Sequence, residues 1–452
     1  MEPRTRSWLW FAQVMLFAIS IGGCGEDFFD EPNKRMPGEE NSPGMSDEVS
    51  GSSSEMANPD PLGGWHILKD DYDQDNLLDI ISFEWDYFMV HDRRNGFYAT
   101  IGYLVSNPRG WLSGIVPLLP EGGSLAFVGK LGGNKPVAHY VNFGLENFEA
   151  SATERSFNAE NEKEDASARV TPLRGQGPDG KDALRIEGRT KAFEWNLVVS
   201  PDWTERDSAQ GRPMVGEDVG LLPWESWTVD PVWPRTRVHG NVVIRETGEV
   251  LDIDAHGYRE NAWGRYLLTT DGWDFYVFSE DREDLLGEQI DPGQGVSLVL
   301  QTYHASTTLD FAQVSFYDGT ALQNLRFTAR DKQVAWSHPH WQWDNESWQC
   351  VPLDMKMRLE NEDYRIEVAL TMSPVDQRPL LSDLTLPVAV YFIQELYPYF
   401  EGTIHDKNSG KLVREFRGLG GGEFSQAKAA RLWPASQSEC TRWGKTFSFG
   451  KP

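Results

Sequence analysis

The sequence predicts an all-β protein made of two tandem antiparallel barrels, and three observations carry that prediction. From Trp65 onward, short runs with period-two alternation are broken by Gly, Pro, Asn and Asp. Phe97 to Val105, Val242 to Ile244, Trp273 to Phe278, Val296 to Leu300 and Tyr364 to Leu370 are examples, and β-branched and aromatic runs bounded by turn signals read as strands. Long amphipathic helical patterns are nearly absent. The third observation is an internal repeat. Val238-His239-Gly240, Thr247-Gly248-Glu249-Val250 and Gly257-Tyr258-Arg259-Glu260 recur as Phe400-Glu401-Gly402, Ser409-Gly410-Lys411-Leu412 and Gly420-Gly421-Gly422-Glu423. The offset is 162 residues for the first two blocks and 163 for the last. Each copy reads as a hairpin ending in a Gly-x-x-Glu turn, and two units of this period fit two closed barrels side by side. Chance alignment of glycine-rich turns is the competing account.

The elements follow in chain order. Arg4 and Arg6 precede an uncharged apolar stretch, Trp8 to Ile21, that ends at Gly22-Gly23-Cys24. This is the pattern of a secretory signal, and the stretch is shorter than the roughly 20 apolar residues that span a bilayer. Two glycines directly before Cys24 resemble a bacterial lipobox, which implies lipidation of Cys24 and a lipid-anchored protein of the cell envelope. Gly25 after the cysteine favours the outer membrane. Residues 1–23 are thus read as the signal, and 24–60, rich in Glu, Asp, Ser, Gly and Pro, as an acidic flexible tether. An N-terminal barrel over 61–268, a C-terminal barrel over 269–432 and a tail over 433–452 complete the expected organisation.

The 42 Lys+Arg against 69 Asp+Glu give a formal charge of -27. That balance argues against nucleic acid or any other polyanionic partner, because phosphate neutralisation needs clustered Lys and Arg. The 18 Trp, 23 Phe and 14 Tyr exceed what solubility requires and point to an apolar interior or pocket. With Cys24 lipidated, Cys350 and Cys440 are left either as one disulfide of an oxidising compartment or as two buried thiols.

Glu84-Trp85-Asp86-Tyr87-Phe88, the block Gly257-Tyr258-Arg259-Glu260-Asn261-Ala262-Trp263-Gly264, Trp336-Ser337-His338-Pro339, and Tyr399-Phe400-Glu401-Gly402 with the Gly422-Glu423 turn carry a family signature. Over residues 62 to 432 the chain resembles the AttH and carotenoid hydratase family, itself similar to lipocalin-like Diels-Alderases and tocopherol cyclases. The resemblance implies two lipocalin-like barrels with an apolar pocket in and between them. Two departures stand out: Asp86 occupies the place of a second Trp, and Arg259 and Asn261 hold places the family favours for His.

Trp85, Tyr87, Trp224, Trp227, Trp233 and Trp263 are the candidate lining for a polyene, terpenoid or polyketide-like ligand. Aromatic faces stabilise positive charge developing on carbon by roughly 0.5–2 kcal/mol each. A carboxyl buried among them loses hydration, so Glu260 could stay protonated and act as a general acid, with Tyr258 beside it on the same strand face and Asn261 able to polarise a carbonyl. Cofactor-free cyclisation, isomerisation or hydration are the reactions such residues serve. Against this, Tyr258 and Glu260 could instead satisfy backbone groups at a strand corner, a reading supported by the recurrence of the acid at Glu423, and the tryptophans could be core. A non-catalytic carrier of a hydrophobic ligand, or a purely structural envelope protein, then follows. His338-Pro339-His340, with His256 and His304 elsewhere, reads as structural rather than as a metal site, and the Asp70 to Asp75 run as a solvated acidic turn. No hydrolase elbow, phosphate loop or dinucleotide fingerprint is present, and no cofactor or metal is expected.

Overall fold

The computed structural model describes residues 60–69, 82–106, 122–132, 137–202, 214–216, 226–265, 272–280, 295–303, 306–329, 331–344, 349–372, 378–379, 391–427 and 448–449. All of them fall within one unit, Ala57–Pro452. The chain is all-β and antiparallel as expected. Among the described residues the helical segments are two 3-10 turns, His66–Leu68 and Pro178–Gly180, and no helix is long and apolar enough to cross a membrane.

The first twelve strands form one sheet: β1 Ser82–Asp92, β2 Phe97–Ser106, β3 Gly122–Leu131, β4 Val137–Gly144, β5 Phe148–Ala150, β6 Phe157–Asn161, β7 Ala166–Leu173, β8 Ala183–Arg189, β9 Phe193–Pro201, β10 Met214–Gly216, β11 Ser226–Ile244 and β12 Glu249–Arg265. Its order is β4-β3-β2-β1-β12-β11-β9-β8-β7-β6-β5, with β10 on β11. The sheet curls until its two edges meet. The Phe148 ring of β5 lies against Gly123 of β3, where any Cβ would stand 2.5 Å from the ring, and Asn147 links the edges by donating to Phe143 O (3.3 Å) and accepting from Glu160 N (3.3 Å). The result is a nearly closed barrel filled by side chains. Phe157 meets Trp65, Tyr103, Phe143 and Phe148 at ring-centroid distances of 5.6–6.5 Å, and Phe127 stacks on Trp195 at 4.8 Å.

The second half is two larger sheets around one core, with a two-stranded sheet, β18-β19, beside them. β13 Gly272–Ser279, β14 Ser297–Tyr303, β15 Ser306–Tyr317, β16 Leu322–Thr328, β17 Val334–Ser337, β18 Trp341–Asp344, β19 Gln349–Pro352, β20 Asp354–Glu360, β21 Tyr364–Thr371, β22 Arg378–Pro379, β23 Tyr391–Leu396, β24 Tyr399–Asp406, β25 Leu412–Leu419, β26 Gly421–Ala427 and β27 Ser448–Phe449 follow in order. Seven strands run β16-β15-β14-β13-β26-β23-β22 and six run β25-β24-β21-β20-β17-β27. Phe278, Leu298 and Phe316 from the first meet Met357, Ile366 and Phe400 from the second in one cluster.

The repeat explains the difference between the halves. In the first copy β12 runs unbroken through Gly257, so the Gly-x-x-Glu block lies mid-strand and is not a turn. In the second copy the extra residue falls between Leu412 and Gly420, and the strand divides at Gly420 into β25 and β26, which enter different sheets. Glycine is needed at both places for close approach: a Cβ at Gly257 would sit 2.1 Å from Met89 O, and one at Gly420 2.4 Å from Val277 O.

Because strand side chains alternate, β1 and β12 present two unlike faces. Glu84, Asp86 and Phe88, with Arg259 and Asn261, point into the barrel. Phe83, Trp85, Tyr87 and Met89, with Tyr258 and Ala262, join Trp273, Phe275, Val277, Val299 and Phe311 of the second half in a separate cluster. That cluster is an apolar seam between the two halves.

The inward face carries a buried charge network. Arg155 Nη1 donates to Glu84 Oε1 (2.7 Å), and Arg259 grips Asp86 with two bonds (Nε 2.9 Å, Nη2 3.1 Å). Arg155 also lies over Trp65 and Arg259 over Trp233, at 4.8 and 4.4 Å. The same groups clamp the segment leading into the barrel: Arg259 donates to Pro61 O (2.8 Å), Arg155 to Gly64 O (3.3 Å), and Ile67 N to Glu84 Oε2 (3.1 Å). Removing one member leaves its partner charged in a dry interior, which costs about 3–5 kcal/mol. Arg155→Ala is therefore expected to lower stability by about that amount, read as a drop in the urea midpoint, and a midpoint within error of wild type would deny the network this role.

Candidate functional site at the seam

Glu260 sits on the seam face of β12, opposite Tyr87 of β1. It is 3% exposed, and both its oxygens accept hydrogen bonds: Tyr258 Oη donates to Oε2 (2.8 Å) and Trp85 Nε1 to Oε1 (3.1 Å). Burial raises its pKa to about 8. The bonds from Tyr258 and Trp85 oppose that rise, and the charges of Glu423 and Asp230 add to it. Tyr258 is pushed well above the usual phenol value, first by burial and then by the Glu260 charge, so it remains a donor. A carboxyl kept neutral at pH 7 has an O–H to give. Tyr87 meets Phe275 edge-on (5.8 Å), Tyr258 meets the same ring at 6.1 Å, and Phe83 leans on Trp85 (5.3 Å). Phe83 and Trp85 are partly exposed, so this side of the aromatic surround reaches solvent.

The sequence alone suggests one pocket for Glu260, Tyr258, Asn261 and the tryptophans, and period-two geometry separates them. Glu260, Tyr258, Trp85 and Tyr87 do meet at the seam. Asn261 points the other way, into the barrel, where its amide donates to Glu84 Oε1 (2.9 Å) and to Trp85 O (2.9 Å). Trp233 lies beneath Arg259 and Trp263 stacks on His66 at 3.9 Å, both inside the barrel. Trp227 pairs with Gly264 through the backbone; its side chain, like that of Cys350 on β19, lies outside the described residues, as do Cys24, Trp224, His304, Cys440 and the Asp70 to Asp75 run in full. The corner reading of Tyr258 and Glu260 is corrected as well: they bond to each other and to an indole, mid-strand.

Asn261 apart, the residues that depart from the pattern the sequence resembles prove to be one feature. Asp86 and Arg259 are the two ends of a single bidentate ion pair. Glu84 in the same network is driven the opposite way from Glu260. Burial would raise it, but the Arg155 charge and the His66 contact hold it at about 2.

The seam contains a counterpart that the sequence analysis missed. Trp273 Nε1 donates to Glu423 Oε2 (3.3 Å), and Phe275 is the cross-strand partner of Glu423 on β13 and β26, as Tyr87 is of Glu260. The readable signal was the recurrence of Trp85-Asp86-Tyr87-Phe88 as Trp273-Asp274-Phe275-Tyr276. Buried Asp274 plays the part of Asp86, with Tyr276 Oη (3.1 Å), Thr302 Oγ1 (3.1 Å) and His338 Nε2 (3.2 Å) around it. His338 is thus structural, and its Nδ1 sits 2.8 Å from Asp354 O. Among the described residues no group of three His, Cys, Asp or Glu side chains is arranged to hold a metal. Gly421 stands where the first copy has Tyr258, and its open side is occupied by Met89 and by His91 of β1, whose Nε2 would be 3.3 Å from a Cβ there. His91 is buried, which pushes its pKa down to about 4.

Several solved structures are similar to this chain, three of them as follows. An AttH candidate from Nitrosomonas europaea is 13% identical with a TM-score of 0.46, covering 76% of this chain and 92% of that one. Kievitone hydratase from Nectria haematococca is 9% identical (TM-score 0.42; 77% and 90% covered), and CghA 10% (TM-score 0.44; 82% and 95%). No family model and no curated protein matches.

The raised Glu260 pKa fixes a stability signature. A carboxyl with a folded value of about 8 and an ordinary unfolded one of about 4.3 holds its proton only in the folded state between those limits. Its contribution is full below the unfolded value and is lost as pH rises through about 8. The urea midpoint of the wild type should fall across this window, and Glu260→Gln should flatten that part of the curve. Equal slopes in the two proteins would show that Glu260 is not held protonated.

Proposed function

We propose that the seam is a cofactor-independent acid site that binds an extended, apolar, unsaturated small molecule and catalyses its cyclisation, double-bond isomerisation or hydration. The observation that carries this reading is the buried Glu260 carboxyl, fixed through both oxygens by Trp85 and Tyr258 within an aromatic surround, whose burial raises its pKa. Proton transfer from such a group to a C=C leaves positive charge on carbon, which the faces of Tyr87, Phe275 and Trp85 stabilise by roughly 0.5–2 kcal/mol each. Positioned acids contribute about 10²–10⁴ in rate. The block from Gly257 to Gly264, the most specific motif in the sequence, supports the same reading.

The test begins with the apolar ligand extracted from natively purified protein and identified by mass spectrometry. Incubated with that compound, wild type should form product and Glu260→Gln should be slower by about 10²-fold or more, with Tyr258→Phe intermediate. Unchanged rates in both variants would remove these residues from the mechanism. A non-catalytic carrier of the same ligand is the second reading. The observation favouring it is the duplicated Trp–Glu pair, since a seam fastener has reason to occur twice; ligand recovered unchanged, with no product from any variant, would decide for it.

We further propose that the protein is an exported lipoprotein anchored to the cell envelope through Cys24, a reading supported by Arg4, Arg6, the apolar run Trp8 to Ile21 and Gly22-Gly23 before the cysteine. Cys24→Ser should move the protein from the membrane fraction to the soluble one. Equal membrane association would contradict the anchor.

A further inference from the structure

Two acids occupy equivalent places on the two sides of the seam. Glu260 faces Tyr87 across the β1–β12 ladder and Glu423 faces Phe275 across the β13–β26 ladder. Each accepts an indole N–H from the residue two positions before its partner, Trp85 in one case and Trp273 in the other. The two ladders touch through these very partners, because the Phe275 ring contacts both Tyr87 and Tyr258. Their surroundings nevertheless differ: Glu260 is closed in by Tyr258, whereas Glu423 has Gly421 in the corresponding place and is partly exposed.

We propose that Glu423 is a second acid–base group of the same site, coupled to Glu260 across the seam, so that one carboxyl meets the substrate protonated and the other ionised. This rests on the reading of Glu260 as an acid and narrows its chemistry. Glu260 gives its proton to one carbon of a double bond, whose π electrons form the new C–H bond. Glu423 removes a proton from a neighbouring carbon, and that C–H pair becomes the new double bond. The substrate gains and loses one proton, nothing is oxidised or reduced, and Glu423 returns its proton to solvent while Glu260 takes one up. The reaction class is then a double-bond shift, or a ring closure ended by proton loss, in preference to water addition.

Proton titration tests the coupling without a substrate. Tyr258 on its own strand and Glu423 from β26 face Glu260; the charge of Asp230, paired with Asn261 on the inward face of β11, also reaches it, Glu395 of β23 pairs with Glu423 through the backbone, and His91 and His256 lie farther along the seam face. The full chain labelled with ¹³C at the glutamate carboxyl is followed by NMR, with Glu260→Gln and Glu423→Gln assigning the two resonances. Like charges disfavour each other, so in Glu423→Gln the Glu260 midpoint should move down, and Glu423→Asp should move it back towards wild type. In wild type the Glu423 resonance should inflect again at the Glu260 midpoint, since coupled carboxyls titrate in shared steps; this readout is made on the wild type and needs the variants for assignment alone. A Glu260 midpoint unmoved in folded Glu423→Gln, or two independent single-step curves in wild type, would overturn the pair. A wild-type Glu260 that titrates in the ordinary carboxyl range would instead sink the acid reading, and the second inflection would still report on coupling.

Discussion

The antiparallel pairing of β1 with β12 is the constraint on which the rest depends. It joins the first strand of the barrel to the last, so the sheet can curl and bring its edges together. It also places ten consecutive residues of β1, Ser82 to His91, opposite the Gly257 block in fixed register. Side chains alternate along both strands, so one ladder supplies the barrel with an ionic interior and the seam with an aromatic acid site. A shift of one residue would exchange the two faces and put Arg259 in the apolar seam.

The two faces show how surroundings set the state of a carboxyl. Glu84 and Glu260 are both buried, and burial alone penalises the ionised form of each. Glu84 has Arg155 at 2.7 Å and stays ionised. Glu260 has only an indole and a phenol as donors, with other carboxylates as its charged neighbours, and holds its proton. The ion pair of Asp86 with Arg259 makes the same point from the sequence side. Each residue alone departs from the pattern the sequence resembles, yet together they form a compensated unit that also fastens the chain at Pro61 to the barrel.

The all-β class, the strand positions and the repeat were legible because period-two alternation and glycine spacing are local signals. Glu260 and Tyr258 were legible for the same reason, as residues two apart must share a strand face. Asn261 and Trp263 were drawn into the same site because motif adjacency ignores that face rule; their odd numbers send them inward with Arg259. Trp233 follows them into the barrel beyond a register shift between Asp230 and Trp233, an irregularity that no local pattern announces. Glu423 repeats Glu260 at an offset of 163 residues, while Trp273, which gives the repeat a chemical meaning, matches Trp85 at an offset of 188, so no single period aligns the two pairs.

The sequence by itself determined the class of fold, the tandem repeat and the acid–tyrosine pair, because each depends on neighbours a few residues apart along a strand. Only the tertiary structure decided that the second copy breaks at Gly420 into two sheets, that Arg259 and Asn261, which flank Glu260, belong to the barrel interior, and that Glu260 and Glu423 face a common seam. Those outcomes depend on which strands meet through space, and a carboxyl becomes an acid or a salt-bridge partner according to what is brought within a few ångströms of it.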